Sequence, residues 1–101
     1  MSSPSYAARI SLNVRRAIGS WGLSREHLLT VLDRLLQELP SDPDRHLRQR
    51  IAPLDLWGYR FALGQAPFRL FFMFAVERDD QARELRVVGT GGVTQEGPSW
   101  E

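Results

Sequence analysis

Tyr59-Arg60-Phe61-Ala62-Leu63-Gly64 and, after a short break, Pro67-Phe68-Arg69-Leu70-Phe71-Phe72-Met73-Phe74 form the stretch that decides the fold. Aromatic and aliphatic residues dominate both halves, and Gly64 and Pro67 punctuate the connection between them. They read as two strands, Tyr59 to Leu63 and Phe68 to Glu77, joined tightly. Each carries one arginine near its start, Arg60 and Arg69, beside an aromatic residue. A guanidinium held on a rigid sheet presents a planar fork of donors that fits phosphate or carboxylate oxygens. In the second strand Phe68, Leu70, Phe72, Phe74 and Val76 face one way, and Phe71, Met73 and Ala75 the other. Two apolar faces suit a central strand covered on both sides, or one whose outer face meets a partner.

Upstream, Tyr6, Ala8, Ile10 and Leu12 alternate with smaller or polar residues, the period of a half-buried strand. Val14, Ala17, Ile18 and Trp21 then fall at helical spacing, and Gly22 ends that short helix. Ser24 is a good N-cap for the next one, with Glu26 in the first turn, where the helix dipole favours an acid. Leu28, Leu29, Val31, Leu32, Leu35, Leu36 and Leu39 follow at i, i+3, i+4, i+7 spacing, and Pro40 is expected to stop the helix. Pro43 suits the first position of a single helical turn capped by Asp42. Arg45 to Trp57 is interrupted by Pro53 and reads as a surface loop or irregular edge strand.

Downstream, Asp79-Asp80-Gln81-Ala82 is a turn and Leu85 to Val88 a further strand. Residues 1–5 and 93–101 read as flexible termini around a single domain spanning residues 6–92. The expected fold is α+β, in the order β-α-α-β-β-β, with a helical hairpin packed on a small, largely antiparallel four-stranded sheet.

The chain has 101 residues, enough for one core. It has no cysteine, which removes disulfides, thiol catalysis and thiolate metal sites. All 13 basic residues are arginines, so no lysine serves as nucleophile or base. The N-terminus has no apolar signal segment, and Leu70 to Val76 is far too short to span a bilayer. A cytoplasmic protein without membrane contact is expected. Two separated histidines without clustered acids make no metal site, and no glycine-rich phosphate loop precedes a helix. No metal or cofactor is expected. The net charge of +1 gives no global pull toward nucleic acid, but Arg45, Arg48, Arg50 and Arg60 stand with His46 against a single acid, Asp55.

This order of elements and these sheet motifs resemble the RelE/ParE superfamily of type II toxin–antitoxin toxins. The likeness runs from Tyr6 to Gly89. It rests on the opening Tyr6-Ala7-Ala8-Arg9-Ile10-Ser11-Leu12 strand, Leu39-Pro40 at the helix end, Tyr59-Arg60-Phe61, Phe68-Arg69-Leu70-Phe71-Phe72 and Val87-Val88-Gly89. The resemblance implies a toxin that binds ribosome-associated messenger RNA or DNA gyrase, and an antitoxin partner that holds it inactive. It makes Arg60 and Arg69 candidates for phosphate stabilisation in a metal-independent endoribonuclease. RNA-cleaving members usually place a basic residue or histidine after the glycine of the last strand. Here Thr90-Gly91-Gly92 follows, with no basic residue beyond Arg86, so the position that would complete the catalytic set is missing.

Each candidate also has a plainer reading. Arg60 and Arg69 either meet a ligand or pair across strands with acids such as Glu77 and Glu84. Arg45, His46, Arg48 and Arg50 either track an RNA backbone or form a solvated basic loop. Tyr59 either stacks on a base or donates a proton, or it belongs to the core or its rim. The outer apolar face around Phe71 and Met73 suits an antitoxin peptide or a second copy of the chain. Without a toxin role, the chain would be a small α+β interaction module, in one form a homodimer.

Overall fold

A computed structural model describes residues 6–65, 68–91 and 94–96. Strand β1 (Ala7–Ile10) leads into helix α1 (Leu12–Ser20). Helix α2 (Arg25–Asp33) continues without a break through a π-helical segment, Arg34–Glu38, into a last turn, α3 (Leu39–Ser41). The short helix α4 (Pro43–His46) and the edge strand β2 (Gln49–Ile51) follow, then β3 (Leu56–Gln65), β4 (Phe68–Asp79), β5 (Glu84–Thr90) and β6 (Thr94–Glu96). The strands lie in one sheet in the order β1-β5-β4-β3-β2, with β6 also on β4. Among the described residues only the β1–β5 pair is parallel. The α+β architecture, with helices against a largely antiparallel sheet, is the one expected.

The sheet has more strands than expected, for two reasons. Strand β2 forms within the segment that Pro53 makes hard to read, pairing Gln49 with Gly58 and Ile51 with Leu56. Strand β6 lies in the expected C-terminal tail. β4 is longer than β5, which pairs it from Phe74 to Asp79, and β6 takes the remaining edge opposite Arg69 to Phe71. An open strand edge leaves backbone donors and acceptors unpaired, and β6 supplies partners for them. A bulge at the Ala75/Val76 step shifts the β4–β5 register by one. The remaining termini expected to be flexible, residues 1–5 and 97–101, lie outside the described residues, as do 66, 67, 92 and 93.

Ser24 caps α2 as expected, its hydroxyl accepting from the His27 N–H at 3.1 Å. The helix passes Pro40 rather than stopping at it. Proline has no N–H to donate, and its ring presses on the carbonyl four residues back in an α-helix. Here the Leu39 N–H donates to the Arg34 carbonyl, five residues back, which widens the turn just before Pro40. The same widening keeps Val31, Leu35 and Leu39 in line. Their four-residue steps outrun an α-helix, which turns every 3.6 residues. All three are fully buried on the sheet, while Leu29 on the expected stripe is exposed.

The core joins Val14 and Ile18 of α1 and the Val31-Leu35-Leu39 line to Tyr59, Leu63, Phe72, Phe74, Val76, Leu85 and Val87 on one face of the sheet. Trp21 closes one end, its ring 5.7 Å from Phe72 and 6.1 Å from Phe74. At the other end Arg78 clasps three elements. It meets Asp80 at 2.6 Å, Asp44 of α4 at 2.8 Å and the Tyr6 ring at 5.5 Å, while the Tyr6 hydroxyl donates to Asp80 at 2.7 Å. Among the described residues no helix is long and apolar enough to cross a membrane.

Candidate functional site

Strand alternation sorts the candidate residues onto two faces. The β3–β4 register pairs Trp57 with Val76, Tyr59 with Phe74, Phe61 with Phe72 and Leu63 with Leu70. These lie on the helix-covered face. Between them Gly58 pairs with Ala75, Arg60 with Met73, Ala62 with Phe71 and Gly64 with Arg69. These form the outer face, which no helix covers among the described residues. Arg60 and Arg69 therefore share one face, and Tyr59 is on the other.

The outer face is mostly small on β3 and large on β4. Phe71 is 37% exposed and Met73 45%. Ala62 opposite Phe71 leaves room beside its ring. The Arg69 guanidinium lies 5.6 Å from the Phe71 ring centre, a cation–π contact, and the register sets Arg69 opposite Glu96 of β6. Arg60 is exposed, and its guanidinium donates to Oε1 of Gln49 on β2. Gln49 sits beside Gly58 and so on the same face, where it orients Arg60. Glu77 and Glu84 are engaged elsewhere: Arg86 bonds to Glu84 at 2.9 Å and meets Glu77 at 3.2 Å, and Arg9 meets Glu84 at 3.0 Å.

Gly64 shapes this end of the face. Its φ of 89° lies in the left-handed region, and a Cβ there would sit 2.9 Å from the Phe68 carbonyl oxygen. The Thr90 hydroxyl is turned to the Met73 carbonyl at 2.9 Å.

Tyr59 is only 2% exposed. His46 meets its ring edge-on at 5.5 Å, and Phe61 lies 5.3 Å away. Arg34, on the π segment, stands 5.3 Å over Phe61. It approaches the Tyr59 hydroxyl, but no hydrogen bond of ordinary geometry reaches that buried oxygen. Burial pushes the Tyr59 phenol above its ordinary pKa, and the Arg34 charge pulls against that rise. His46 and Tyr59 thus face the helices, away from Arg60 and Arg69.

The other arginines of the expected basic loop are dispersed. Arg50, on β2, pairs with Asp55 and lies 5.0 Å over the Trp57 ring. Arg45 lies in the last turn of α4, and Arg48 is exposed between α4 and β2. Gln49 and Arg34 were not legible as site neighbours. One depends on a strand that Pro53 obscures, the other on a π turn that hydrophobic spacing does not announce. Among the described residues no group of three or more His, Cys, Asp or Glu side chains is placed to hold a metal ion.

No protein-family model matches the chain, and no curated protein matches it. Among solved structures it is similar to the toxin–antitoxin complex RelBE2 from Mycobacterium tuberculosis, with a TM-score of 0.59 at 17% identity. The match covers 88% of this chain and 99% of that one. The likeness shows that this chain shares the fold of a chain in that complex.

Proposed function

We propose that this chain is the toxin component of a toxin–antitoxin pair. It acts in the cytoplasm, engages a macromolecular target through the outer face of β3 and β4, and is held inactive by an antitoxin protein. The target is ribosome-bound messenger RNA or DNA gyrase. The observation that carries this reading is Arg60, oriented by Gln49 on the uncovered face of a RelE-like fold. An exposed guanidinium with a fixed direction suits a phosphate or carboxylate of the target.

The same face favours binding over cleavage. Metal-free RNA cleavage needs charge stabilisation and also groups that take and give protons. Arg60 and Arg69 supply charge. Tyr59 and His46, which could move protons, stand on the opposite face, and Thr90 points its hydroxyl at a backbone carbonyl. Expression in a bacterial host with and without Arg60→Ala tests the reading. Growth arrest that Arg60→Ala relieves, with messenger RNA left intact, is expected. Normal growth under wild-type expression sinks the toxin role, and fragmented messenger RNA sinks the non-cleaving form.

Exposed Phe71 and Met73 favour one competing reading, a non-toxic homodimer joined through this face. A solution mass equal to one chain at high concentration removes it.

A further inference from the structure

We propose that the cleft between α1 and α2 binds a medium-chain fatty acid, with the hydrocarbon chain between the helices and the carboxylate on Arg15. The cleft lies on the helix side of the sheet, away from Arg60, so the proposal is independent of the toxin reading. Its volume is about 400 Å³, within the span of about 300–1,000 Å³ that small-ligand pockets occupy.

The walls set the shape of the ligand. Arg15, Ile18 and Gly19 come from one side of α1, at i, i+3, i+4 spacing. Leu28, Leu32 and Leu36 line the other wall, from α2 and its π segment. From Leu28 to Leu36 that wall runs about 12 Å, at about 1.5 Å per residue. A slot of this length suits an extended chain better than a compact ring. Ile10, at the end of β1, and Ile18 are buried, so the cleft reaches down to the core. Leu36 stays 38% exposed, apolar surface that a bound chain would cover.

Gly19 keeps the α1 wall open. Glycine is a poor helix former, yet this one stands within α1, and a Cβ there would meet no neighbouring heavy atom within 4 Å. The room is left for something other than a side chain of this position.

Charge sets the head group. Among the described residues that line the cleft, Arg15 alone has a polar side chain. It is exposed, and among the described residues its side chain makes no ion pair or hydrogen bond. A ligand that satisfies this lining is apolar except for one anionic end, and the guanidinium fork fits a carboxylate. An extended peptide laid here would bury backbone amides against leucine. A hydrocarbon chain has none to bury.

Isothermal titration calorimetry with octanoate, decanoate, dodecanoate and tetradecanoate, below their micelle concentrations, tests this. Each buried methylene should tighten binding about fourfold until the chain fills the cleft, so a plateau is expected within the series. Arg15→Gln should weaken decanoate by about threefold, the size of an exposed ion pair, and leave decanol unchanged. Gly19→Leu should abolish binding of both. Gly19→Ala, a smaller intrusion that spares the helix, should weaken both. Thermal melts of each variant show that the fold is kept.

Wild-type protein that binds none of the four acids overturns the proposal, as does decanoate binding that both Gly19 variants leave intact. Affinity still climbing at tetradecanoate marks adsorption to the surface and overturns it too. Decanoate binding that Arg15→Gln leaves unchanged defeats the carboxylate assignment. A wild-type dimer that Gly19→Leu dissociates, with no acid bound, overturns the proposal in favour of a second copy. Growth arrest enters none of these outcomes, so the toxin reading stands or falls separately.

Discussion

Tyr59 and Arg60 are consecutive in the chain, yet they stand on opposite faces of β3, Tyr59 against Phe74 in the core and Arg60 against Met73 in the open. Adjacency in a strand separates side chains, because successive residues alternate faces. The pair that looks most like a site in the sequence is thus divided between structure and function. Tyr59 is packed in the core, and Arg60 is left on the exposed face, where the proposed partner would meet it.

Arg60→Ala tests that division from one side. Surface substitutions away from special features change stability by about 0.5 kcal/mol or less. The variant should melt with the wild type and lose its effect on growth. A large drop in melting temperature would place Arg60 among the structural residues.

Tyr59→Phe tests it from the other side. A buried polar group without a partner costs about 1–3 kcal/mol, so removing the hydroxyl should leave the protein as stable or up to about 1 kcal/mol more stable in urea unfolding. Its effect on growth should be unchanged. The raised phenol pKa adds a pH signature. The native state keeps this proton after the unfolded chain releases it near pH 10, so the unfolded state binds fewer protons and stability falls as pH rises. The Tyr59 contribution is complete below pH 10 and is lost as pH climbs toward the raised value. Denaturation curves across that window should show a shallower fall for Tyr59→Phe.

The Arg78 clasp makes the opposite prediction at low pH. The Arg78 hydrogen bond, seconded by Tyr6, holds the Asp80 carboxyl below its ordinary value. The native state then binds fewer protons, so the contribution is present above about pH 4 and is lost as pH falls toward the lowered pKa. Asp80→Asn should flatten the acid limb of a stability–pH curve. Arg78→Gln, which breaks contacts to Asp80 and Asp44 at once, should lower the melting temperature.

Gly64→Ala should destabilise the protein by about 1–3 kcal/mol, since it combines a left-handed backbone with a Cβ 2.9 Å from the Phe68 oxygen. A thermal melt measures this directly. An unchanged melting temperature would mean that the β3 end relaxes freely.

The parts of the fold that follow from local chemistry were legible. Ser24 announced a cap, the alternation from Phe68 to Val76 announced a strand with two apolar faces, and Gly22 announced the end of α1. What depended on distant pairing was not. Leu12, expected to close the first strand, begins α1 instead, with Ser11 at the N-cap but no side-chain cap hydrogen bond to announce it. β2 exists because Gln49 to Ile51 finds β3, and β6 because β4 outruns β5. For the candidate site, face was the missing variable. Arg60 and Arg69 were foreseen together on neighbouring strands, but separating them from Tyr59 and His46 required the register, and Gln49 required β2.

The π turn at Arg34–Glu38 also bears on lineage. A π turn holds one residue more than the α turn it replaces, so this helix carries what amounts to an insertion, absorbed without a loop. A cousin lacking that residue could keep the same buried line with plain α geometry. Aligned against such a cousin, the residues before Arg34 and those after Leu39 belong to different frames, offset by one. Deleting a single residue here would bring Val31, Leu35 and the present Leu39 to i, i+4, i+7 spacing, which an α-helix at about 100° per residue keeps on one side.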